Sequence, residues 1–196
     1  MQFIKSDIPD VIIIEPKVHG DERGYFVETF RADTLEAFLG YKINFTQDNE
    51  SKSSRGVLRG LHYQLAPFAQ TKLVRVIQGR VLDVAVDIRR GSPTFGQHVA
   101  VELSAENKKQ LLVPRGFAHG FVVLEDDTIF AYKVDNYYSP ECDRGIAFDD
   151  ASLHIDWIIQ KEMLNLSLKD TKQPKLGETD DLFEFGVDYY KDVQND

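Results

Sequence analysis

Short apolar stretches fill the middle of the chain and predict a protein built mainly of β-strands. In Arg80–Arg89, the clearest stretch, every second residue from Leu82 to Ile88 is aliphatic, while Asp83 and Asp87 fall on the other face. Many short strands at this spacing are typical of a sandwich, jelly roll or barrel. The predicted strands, separated by Gly, Pro, Asn or Asp, are Gly56–Gln64, Lys72–Gln78, Arg80–Arg89, His98–Leu103, Gln110–Val113, Ala118–Leu124 and Thr128–Val134.

Helical signals are confined to the flanks of the strand region. Asp33 and Thr34 can cap a short helix that runs through Phe38–Leu39 and ends at Gly40. A second helix is predicted near Gln160–Leu164. The mixture of many strands and short flanking helices indicates a mainly β protein.

The chain contains no repeat, low-complexity tract or long linker, so we expect a single domain over residues 1–196. Its core is predicted at about residues 43–150. N-terminal strands would occupy residues 1–42, and a mixed C-terminal tail would occupy residues 151–196. The acidic end of this tail has no assignable role in the sequence.

Alternation along the predicted strands turns several polar side chains towards apolar faces. His62, for example, is predicted to share the face of Leu58 and Gln64. Taken singly, such residues are most simply a satisfied core histidine, a lysine with a buried stem or a packed tyrosine. Together they predict a small-molecule site, because burying several such groups costs free energy unless they are paired or functional. The four residues are His62, Lys72, His119 and Tyr132.

Composition narrows the class of protein. The 196 residues carry 23 Lys+Arg against 32 Asp+Glu, a formal charge of −9, which argues against a nucleic-acid partner. No apolar run approaches the roughly 18–20 residues that cross a bilayer, and the start lacks the pattern of a secretory signal. Cys142, the single cysteine, fits a reducing compartment. We therefore expect a soluble cytoplasmic protein without a membrane partner.

The charge is unevenly distributed, which changes what it says about ligands. The segment from Lys52 to Arg115 has a balance of +7, and the remainder has −16. Local potential rather than total charge steers an anionic ligand, so this segment is a candidate anion-binding region. Four of its basic residues are expected only to solvate turns, namely Arg89, Arg90, Lys108 and Lys109.

Two motifs in the predicted barrel resemble those of the cupin fold. Pro114–His119 fits the second cupin motif, Pro-x-Gly-x-x-His. In the first motif His62 is present, but Gln64 stands at the second histidine position and Lys72 at the glutamate position. An amide and an ammonium in place of two metal ligands remove donors and add a repelling charge. The resemblance therefore implies a jelly roll that works without metal.

The polar set also suits one kind of chemistry. A neutral imidazole is a good general base near neutral pH, an ammonium can stabilise a developing oxyanion, and a phenol can donate a proton from another direction. His62, Lys72 and Tyr132 therefore predict proton abstraction beside a carbonyl, followed by return of a proton to the opposite face. This sequence of steps is an epimerisation.

Seven segments carry a more specific resemblance, in order along residues 1–172. They are Asp21–Phe26, Gln47–Ser51, Gly56–Gln64, Lys72–Val76, Pro114–Phe121, Tyr137–Pro140 and Leu166–Asp170. Together they closely resemble the dTDP-4-dehydrorhamnose 3,5-epimerase family. That resemblance implies a cupin-type jelly roll, a homodimer, a dTDP-4-keto-6-deoxyhexose substrate and no cofactor.

The same resemblance implies a role for individual residues. His62 would accept a proton, Asp170 would orient the imidazole of His62, and Tyr132 would donate a proton. Lys72 would lie beside the keto oxygen of the substrate. Tyr138 would stack on thymine. The positions that would hold the nucleotide sugar are Arg23, Glu28, Gln47, Asp48, Asn49, Arg59, Lys72, His119, Tyr138, Asp143 and Lys169.

One departure and three alternatives remain open. Asp143 stands where the family usually carries Glu, so its contact would be shortened or mediated by water. A relative that inverts only carbon 3 or carbon 5 is a close alternative, and no residue separates it from the double epimerase. A non-catalytic sugar-binding cupin is disfavoured by the intact catalytic set. A metal-dependent cupin oxygenase is disfavoured by Gln64 and Lys72.

Overall fold

The computed structural model describes residues 1–191, which form strands, one α-helix and four 3₁₀ turns. The helix α1 spans Ala32–Leu39, and the 3₁₀ turns span Ala151–Leu153, Lys161–Met163, Asp170–Lys172 and Leu176–Glu178. The strands are β1 Gln2–Lys5, β2 Ile12–Glu15, β3 Val18–Asp21, β4 Gly24–Val27, β5 Gln47–Ser53, β6 Leu58–Gln64, β7 Lys72–Gln78, β8 Arg80–Asp87, β9 Arg89–Arg90, β10 His98–Ser104, β11 Gln110–Val113, β12 Phe117–Val123, β13 Thr128–Val134, β14 Asp143–Gly145 and β15 Phe183–Glu184.

Two antiparallel sheets form a sandwich. The first has six strands in the order β1-β2-β11-β7-β13-β5, and the second has five in the order β10-β8-β12-β6-β14. Between them lies a core that draws on both sheets, including Val74, Val81, Phe121 and Phe130. The predicted mainly β, jelly-roll fold is confirmed. The hairpin β3-β4 stands apart from both sheets, and β15 pairs with β9 in a small parallel sheet.

The outer faces of both sheets are also covered in part. Helix α1 packs Leu35 against the six-stranded sheet, near Leu73 and Leu112. The C-terminal segment packs Trp157 and Phe183 on the outer side of the five-stranded sheet. Burial of both faces explains why several strands read as nearly continuous apolar runs rather than as an alternation. Among residues 1–191, no helix is long and apolar enough to span a bilayer.

Most predicted strand bounds agree with the structure, and the differences lie at the ends. β7, β11 and β13 have the predicted bounds, whereas β8 ends at Asp87 instead of Arg89. The expectation that Arg89 is a solvated turn residue is wrong, because its side chain is only 13% exposed and forms an ion pair with the buried Asp87. An arginine that neutralises a buried carboxylate has a structural function.

The two helical predictions met different outcomes. Gly40 ends α1 as predicted, in the left-handed conformation with φ of 81°. The predicted cap is wrong, because Arg31 occupies the cap position and makes no side-chain capping bond. The second helix, near Gln160–Leu164, is only the 3₁₀ turn Lys161–Met163.

A β-bulge in β6 changes which side chains face the interior. His62 pairs with His119, but Arg59 pairs with Phe121, so β6 contains one residue more than β12 between these pairs. Leu58 consequently packs in the outer core, away from the face of His62. The predicted common face of Leu58 and His62 is therefore wrong. The bulge instead brings Arg59 and His62 to the same interior cleft.

The bulge depends on close contact between two glycines. Gly60 has a φ of 136°, a backbone conformation that residues other than glycine rarely adopt. A Cβ atom at this position would lie 2.5 Å from the Cα of Gly120 on the neighbouring strand. Glycine is thus required for β6 and β12 to lie side by side at the point where the face of the strand changes.

Candidate active site

A cleft opens between the two sheets and holds most of the predicted site residues. It consists of two adjoining cavities, of about 510 and about 410 Å³. His62, Lys72 and Tyr132 line both cavities and therefore lie where they meet. His62 comes from the five-stranded sheet, whereas Lys72 and Tyr132 come from the six-stranded sheet. The sandwich thus places the imidazole on one wall and the ammonium and phenol on the other.

His62 is held by a buried carboxylate. Its Nε2 atom lies 2.5 Å from Oδ1 of Asp170, whose side chain is 4% exposed, and the imidazole itself is 29% exposed. Ser167 donates its hydroxyl to the other carboxylate oxygen at 2.8 Å. Burial raises the pKa of Asp170, but hydrogen bonds from His62 and Ser167 outweigh it, so the pKa is lowered. A carboxylate that stays ionised can orient the ring and stabilise its protonated form.

A second histidine and carboxylate lie deeper in the barrel. Nε2 of His119 is 3.0 Å from both carboxylate oxygens of Asp83. Both side chains are buried, with exposures of 7% and 0%. His119 pairs with His62 across β12 and β6, so the two imidazoles belong to neighbouring positions of one sheet. The predicted inward orientation of His119, with Phe117 and Phe121, agrees with the inner core.

Lys72 brings the positive charge into the cleft. Its ammonium donates a long hydrogen bond of 3.4 Å to the backbone carbonyl of His62. Burial lowers its pKa to about 8, with a partial offset from the nearby carboxylates of Asp143 and Asp83. At neutral pH the side chain is therefore mostly protonated and only weakly compensated. Such an ammonium is suited to bind an anionic oxygen of a ligand.

Tyr132 and Arg59 lie on facing walls of the larger cavity. Burial raises the pKa of the Tyr132 phenol, and the charge of Arg59 opposes that rise only in part. The phenol therefore remains protonated well above neutral pH and can donate its proton. Arg59 donates a hydrogen bond to Ser53 at 3.2 Å, which leaves other guanidinium N–H groups for a ligand.

The smaller cavity is lined by several residues that are predicted to contact a nucleobase and a sugar. The carboxylate of Asp143 accepts hydrogen bonds from Tyr138, at 3.1 Å, and from Lys169. The ring of Tyr138 remains 58% exposed at the mouth of the cavity. Gln47 and Asn49 reach the same cavity from β5, and Gln47 donates to Asn49 at 2.9 Å. The short side chain of Asp143 thus makes direct contacts with both Tyr138 and Lys169.

Three predicted substrate-binding residues do not line this cleft. The side chain of Arg23 is 85% exposed on the β3-β4 hairpin, paired with Asp21. Glu28 is exposed just after this hairpin. Asp48 points to the opposite face of β5, where Lys133 donates to it at 2.9 Å. Within one chain, the structure therefore separates these three residues from the catalytic set.

Sequence reasoning missed several residues that shape the site. Asp83 was visible as an acidic residue in an apolar strand, but its pairing with His119 needs the sheet register. Ser167 carries no signal of its own. Gln64 has a structural function, because its amide donates to the carbonyls of Phe68 and Tyr137 and accepts from the backbone of Ser139. These bonds hold the loop that carries Tyr138.

The donor set of the cleft is poor in metal ligands. Over residues 1–191, no group of three or more His, Cys, Asp and Glu side chains is arranged to hold a metal ion. At the cupin ligand positions, the amide of Gln64 is already bonded to backbone groups and the ammonium of Lys72 would repel a cation. The residues present suit an anionic organic ligand better than a metal.

Comparisons with known proteins place this geometry in one family. The family model described as dTDP-4-dehydrorhamnose 3,5-epimerase matches residues 5–178. A dTDP-4-dehydrorhamnose 3,5-epimerase of Shigella flexneri is 58% identical over 165 residues, which are 84% of this chain and 91% of the relative.

Two solved structures are similar over nearly the whole chain. The dTDP-6-deoxy-D-glucose-3,5-epimerase of Legionella pneumophila Philadelphia 1, in complex with dTDP-4-keto-L-rhamnose, is 49% identical, with a TM-score of 0.91 and coverage of 95% of this chain and 99% of that one. A 3′-monoepimerase of Streptomyces bikiniensis, in complex with dTDP-quinovose, is 31% identical, with a TM-score of 0.88 and coverage of 96% of each chain.

Proposed function

Because this chain belongs to the dTDP-4-dehydrorhamnose 3,5-epimerase family, we propose that it converts dTDP-4-dehydro-6-deoxy-D-glucose to dTDP-4-dehydro-L-rhamnose. The reaction inverts carbons 3 and 5 of the sugar and belongs to the biosynthesis of dTDP-L-rhamnose. One observation supports it above the others: a carboxylate-paired imidazole faces a phenol and an ammonium across the cleft. Epimerisation needs a base and an acid on opposite faces of one carbon.

The proposed reaction begins at a C–H bond next to the ketone. His62 accepts the proton, and the electron pair moves to form an enolate whose oxygen becomes negative. The ammonium of Lys72 stabilises this oxygen, because a charge in a water-poor site acts more strongly than in bulk water. Asp170 stabilises the imidazolium that forms.

Tyr132 then donates its proton to the opposite face of the same carbon, which completes the inversion. Its raised pKa keeps the phenol protonated until that step. His62 must lose its proton and Tyr132 must regain one before the second carbon reacts. Both transfers draw on solvent, so each inversion brings one solvent hydrogen into the product. The reaction balances without any electron acceptor, and we propose that no cofactor takes part.

We propose that the nucleotide binds along the smaller cavity, with thymine against the ring of Tyr138. The diphosphate is expected to contact Arg59, since a guanidinium gives bidentate and permanently charged contacts. Gln47, Asn49, Asp143, Lys169 and His119 would hold the remaining polar groups. Arg59 and Lys72 both belong to the +7 segment. An anionic ligand is therefore compatible with a chain whose total charge is −9.

Two of the three residues outside the cleft fit a homodimer. Tyr25 and Phe26 on the β3-β4 hairpin are 61% and 69% exposed, which is unusual for large aromatic side chains. We propose that this hairpin packs on a second copy of the chain, where Arg23 and Glu28 complete the neighbour's cleft. A cytoplasmic location remains a prediction from the sequence.

The experiment that tests the function is proton NMR of the substrate with the enzyme in deuterium oxide. Deuterium is expected at both carbon 3 and carbon 5. Entry at one carbon alone would replace this proposal with the single-centre epimerase, an activity that a structural relative of 31% identity carries in its name. Absence of exchange at both carbons would contradict the proposed enzymatic activity and favour a non-catalytic sugar-binding protein.

A further inference from the structure

Residues 179–191 lie beyond the residues that the family model matches, which end at residue 178. Several of these residues are nevertheless packed on the barrel. Phe183 is 2% exposed and contacts the rings of Tyr63 and Tyr189, with centroid distances of 6.2 and 4.8 Å. The backbone carbonyl of Asp181 accepts the hydroxyl of Tyr63 at 2.6 Å. Residues 179–191, called the strap below, are thus packed against the barrel.

Tyr190 is the residue of this strap that reaches furthest towards the cleft. Its hydroxyl lies 2.8 Å from the hydroxyl of Thr71 and also accepts the backbone N–H of Arg115 at 3.3 Å. Its ring lies 4.8 Å from the guanidinium carbon of Arg115. Arg115 in turn donates to the carbonyl of Tyr189 at 2.5 Å. Tyr189 and Tyr190 of the strap therefore contact both Arg115 and Thr71 of the barrel.

Thr71 is the residue immediately before Lys72, just outside β7. Lys72 is the first position of β7 and pairs with β11 and β13, through Val113 and Val134. Before it, one backbone bond continues the pairing, from the Asp135 N–H to the Thr71 carbonyl at 3.3 Å, and the carboxylate of Asp135 accepts the Thr71 N–H at 2.6 Å. The backbone next to Lys72 therefore depends on side-chain contacts as well as on sheet pairing.

Arg115 links these contacts to the strap. Its Nε atom donates to the carboxylate of Asp135 at 3.2 Å, and both side chains are 2% exposed. Thr71 is itself fully buried. The resulting network of hydrogen bonds runs from Tyr190 to Thr71, Asp135 and Arg115. It therefore connects the strap to the start of β7.

We propose that Tyr190 is a positioning residue for Lys72, holding the start of β7 so that the ammonium stays in the cleft. This inference rests on the proposed function for its effect on catalysis, but not for the placement of the side chain. Among residues 1–191, the ammonium of Lys72 makes one long hydrogen bond, of 3.4 Å, so its position is set mainly by its backbone. A small movement of the ammonium away from a developing oxyanion reduces the stabilisation that it provides.

The test removes the Tyr190 hydroxyl, with its contacts to Thr71 and to the Arg115 N–H, in Tyr190→Phe. We expect kcat for deuterium incorporation to fall about 2- to 10-fold, the effect of one or two hydrogen bonds, with KM unchanged because no substrate contact is lost. Thr71→Val removes the Thr71 contact from the other side and should give a similar or smaller loss. The double variant should be no slower than Tyr190→Phe alone.

A second readout does not need catalysis. Labelling of lysines with an amine-reactive reagent, followed by mass spectrometry, should show Lys72 reacting several-fold faster in Tyr190→Phe than in the unaltered chain. The exposed Lys52 serves as an internal reference. Unchanged labelling of Lys72 would overturn the proposal. Faster labelling with unchanged kcat would support the positioning and instead contradict the catalytic role of Lys72.

The matched control is Tyr189→Phe, a neighbouring tyrosine of the same strap. Its hydroxyl accepts the backbone N–H of Glu184 and has no contact with Thr71. We expect kcat and the labelling of Lys72 to stay within about 2-fold of the unaltered chain. A loss equal to that of Tyr190→Phe would mean that general loosening of the tail, not the Tyr190 contact, is responsible, and would overturn the proposal.

Discussion

The barrel contains two histidine–aspartate pairs of nearly the same composition and very different surroundings. In His119–Asp83 both side chains are buried, and both come from adjacent strands of the five-stranded sheet. In His62–Asp170 the imidazole is 29% exposed to the cleft, and the carboxylate comes from a 3₁₀ turn in the C-terminal segment. The chemistry of the pair is shared, so the environment must decide its function.

The comparison shows what a general base requires beyond a carboxylate partner. A base must reach a substrate proton and exchange its own proton with solvent, which the open His62 can do. A fully enclosed pair can fix the shape of the cavity and offer one hydrogen bond to a ligand. We therefore expect loss of the open pair to reduce catalysis, and loss of the enclosed pair to reduce stability.

The largest expected effect is that of His62→Ala. Removing the proposed base should lower the rate of deuterium exchange at carbons 3 and 5 by about 10³-fold or more, since general bases contribute about 10²- to 10⁴-fold. Affinity for the nucleotide sugar should remain largely unchanged, because the diphosphate and thymine contacts are intact. Exchange is measured by NMR and affinity by calorimetry.

His119→Ala is the control for that variant. It removes an imidazole from the same cavity but leaves the proposed base in place, so exchange should continue at a reduced rate. If the two variants lose exchange equally, the distinction between an open catalytic pair and an enclosed structural pair is wrong.

A smaller effect is expected when the same substitution is made in each carboxylate. Asp170→Asn should lower kcat about 10²-fold, because an amide cannot stabilise the imidazolium as a carboxylate does. Asp83→Asn should lower kcat less than 10-fold but reduce the free energy of unfolding by about 2 kcal/mol, as expected for a buried hydrogen bond to a charged group. Kinetics and urea denaturation measure the two quantities, and reversed losses would contradict the assignment.

A further effect, smaller than that of Asp170→Asn, concerns pH and the charge that faces the open pair. Burial lowers the pKa of Lys72 to about 8, so its ammonium is present below that pH and is lost as the pH rises through it. We expect kcat/KM to fall about 10-fold between pH 7 and pH 9, since one pH unit above the pKa leaves about a tenth protonated. Tyr132 does not produce this limb, because burial raises its pKa.

Lys72→Arg separates this explanation from others. A guanidinium remains charged throughout this range, so the alkaline fall near pH 8 should disappear even if the overall rate is lower. Persistence of the same fall in that variant would assign it to a different group. The pH profile of kcat/KM for each form provides the measurement.

Alternation predicted the strands well, because apolar residues repeat at the period of a sheet. It could not predict the bulge at Gly60, which depends on the close approach of Gly120 from a strand 60 residues away. The inward faces of β7, β12 and β13 were therefore correct, while that of β6 was wrong at Leu58. A local pattern cannot report a register set by a distant neighbour.

The site shows the same division between local and distant information. Lys72, His119 and Tyr132 follow from alternation, whereas the pairing of His62 with Asp170, 108 residues later, has no local signal and came from the family resemblance. Asp83 was read as part of a polar face, since a buried carboxylate and a solvated one look alike in sequence. The sequence does not decide whether residues 179–191 are packed or frayed, because their contacts join short, irregular segments to remote positions.

The position of Asp170 along the chain has a consequence for synthesis. Ribosomes deliver the strands of the barrel, with His62, Lys72 and Tyr132, before the turn that contains Asp170 and the strap that follows it. A domain generally folds as a unit, and the segment around Asp170 also supplies core residues such as Trp157 and Phe183. A chain terminated before residue 170 would therefore lack both the partner of its base and part of the packing that closes the five-stranded sheet.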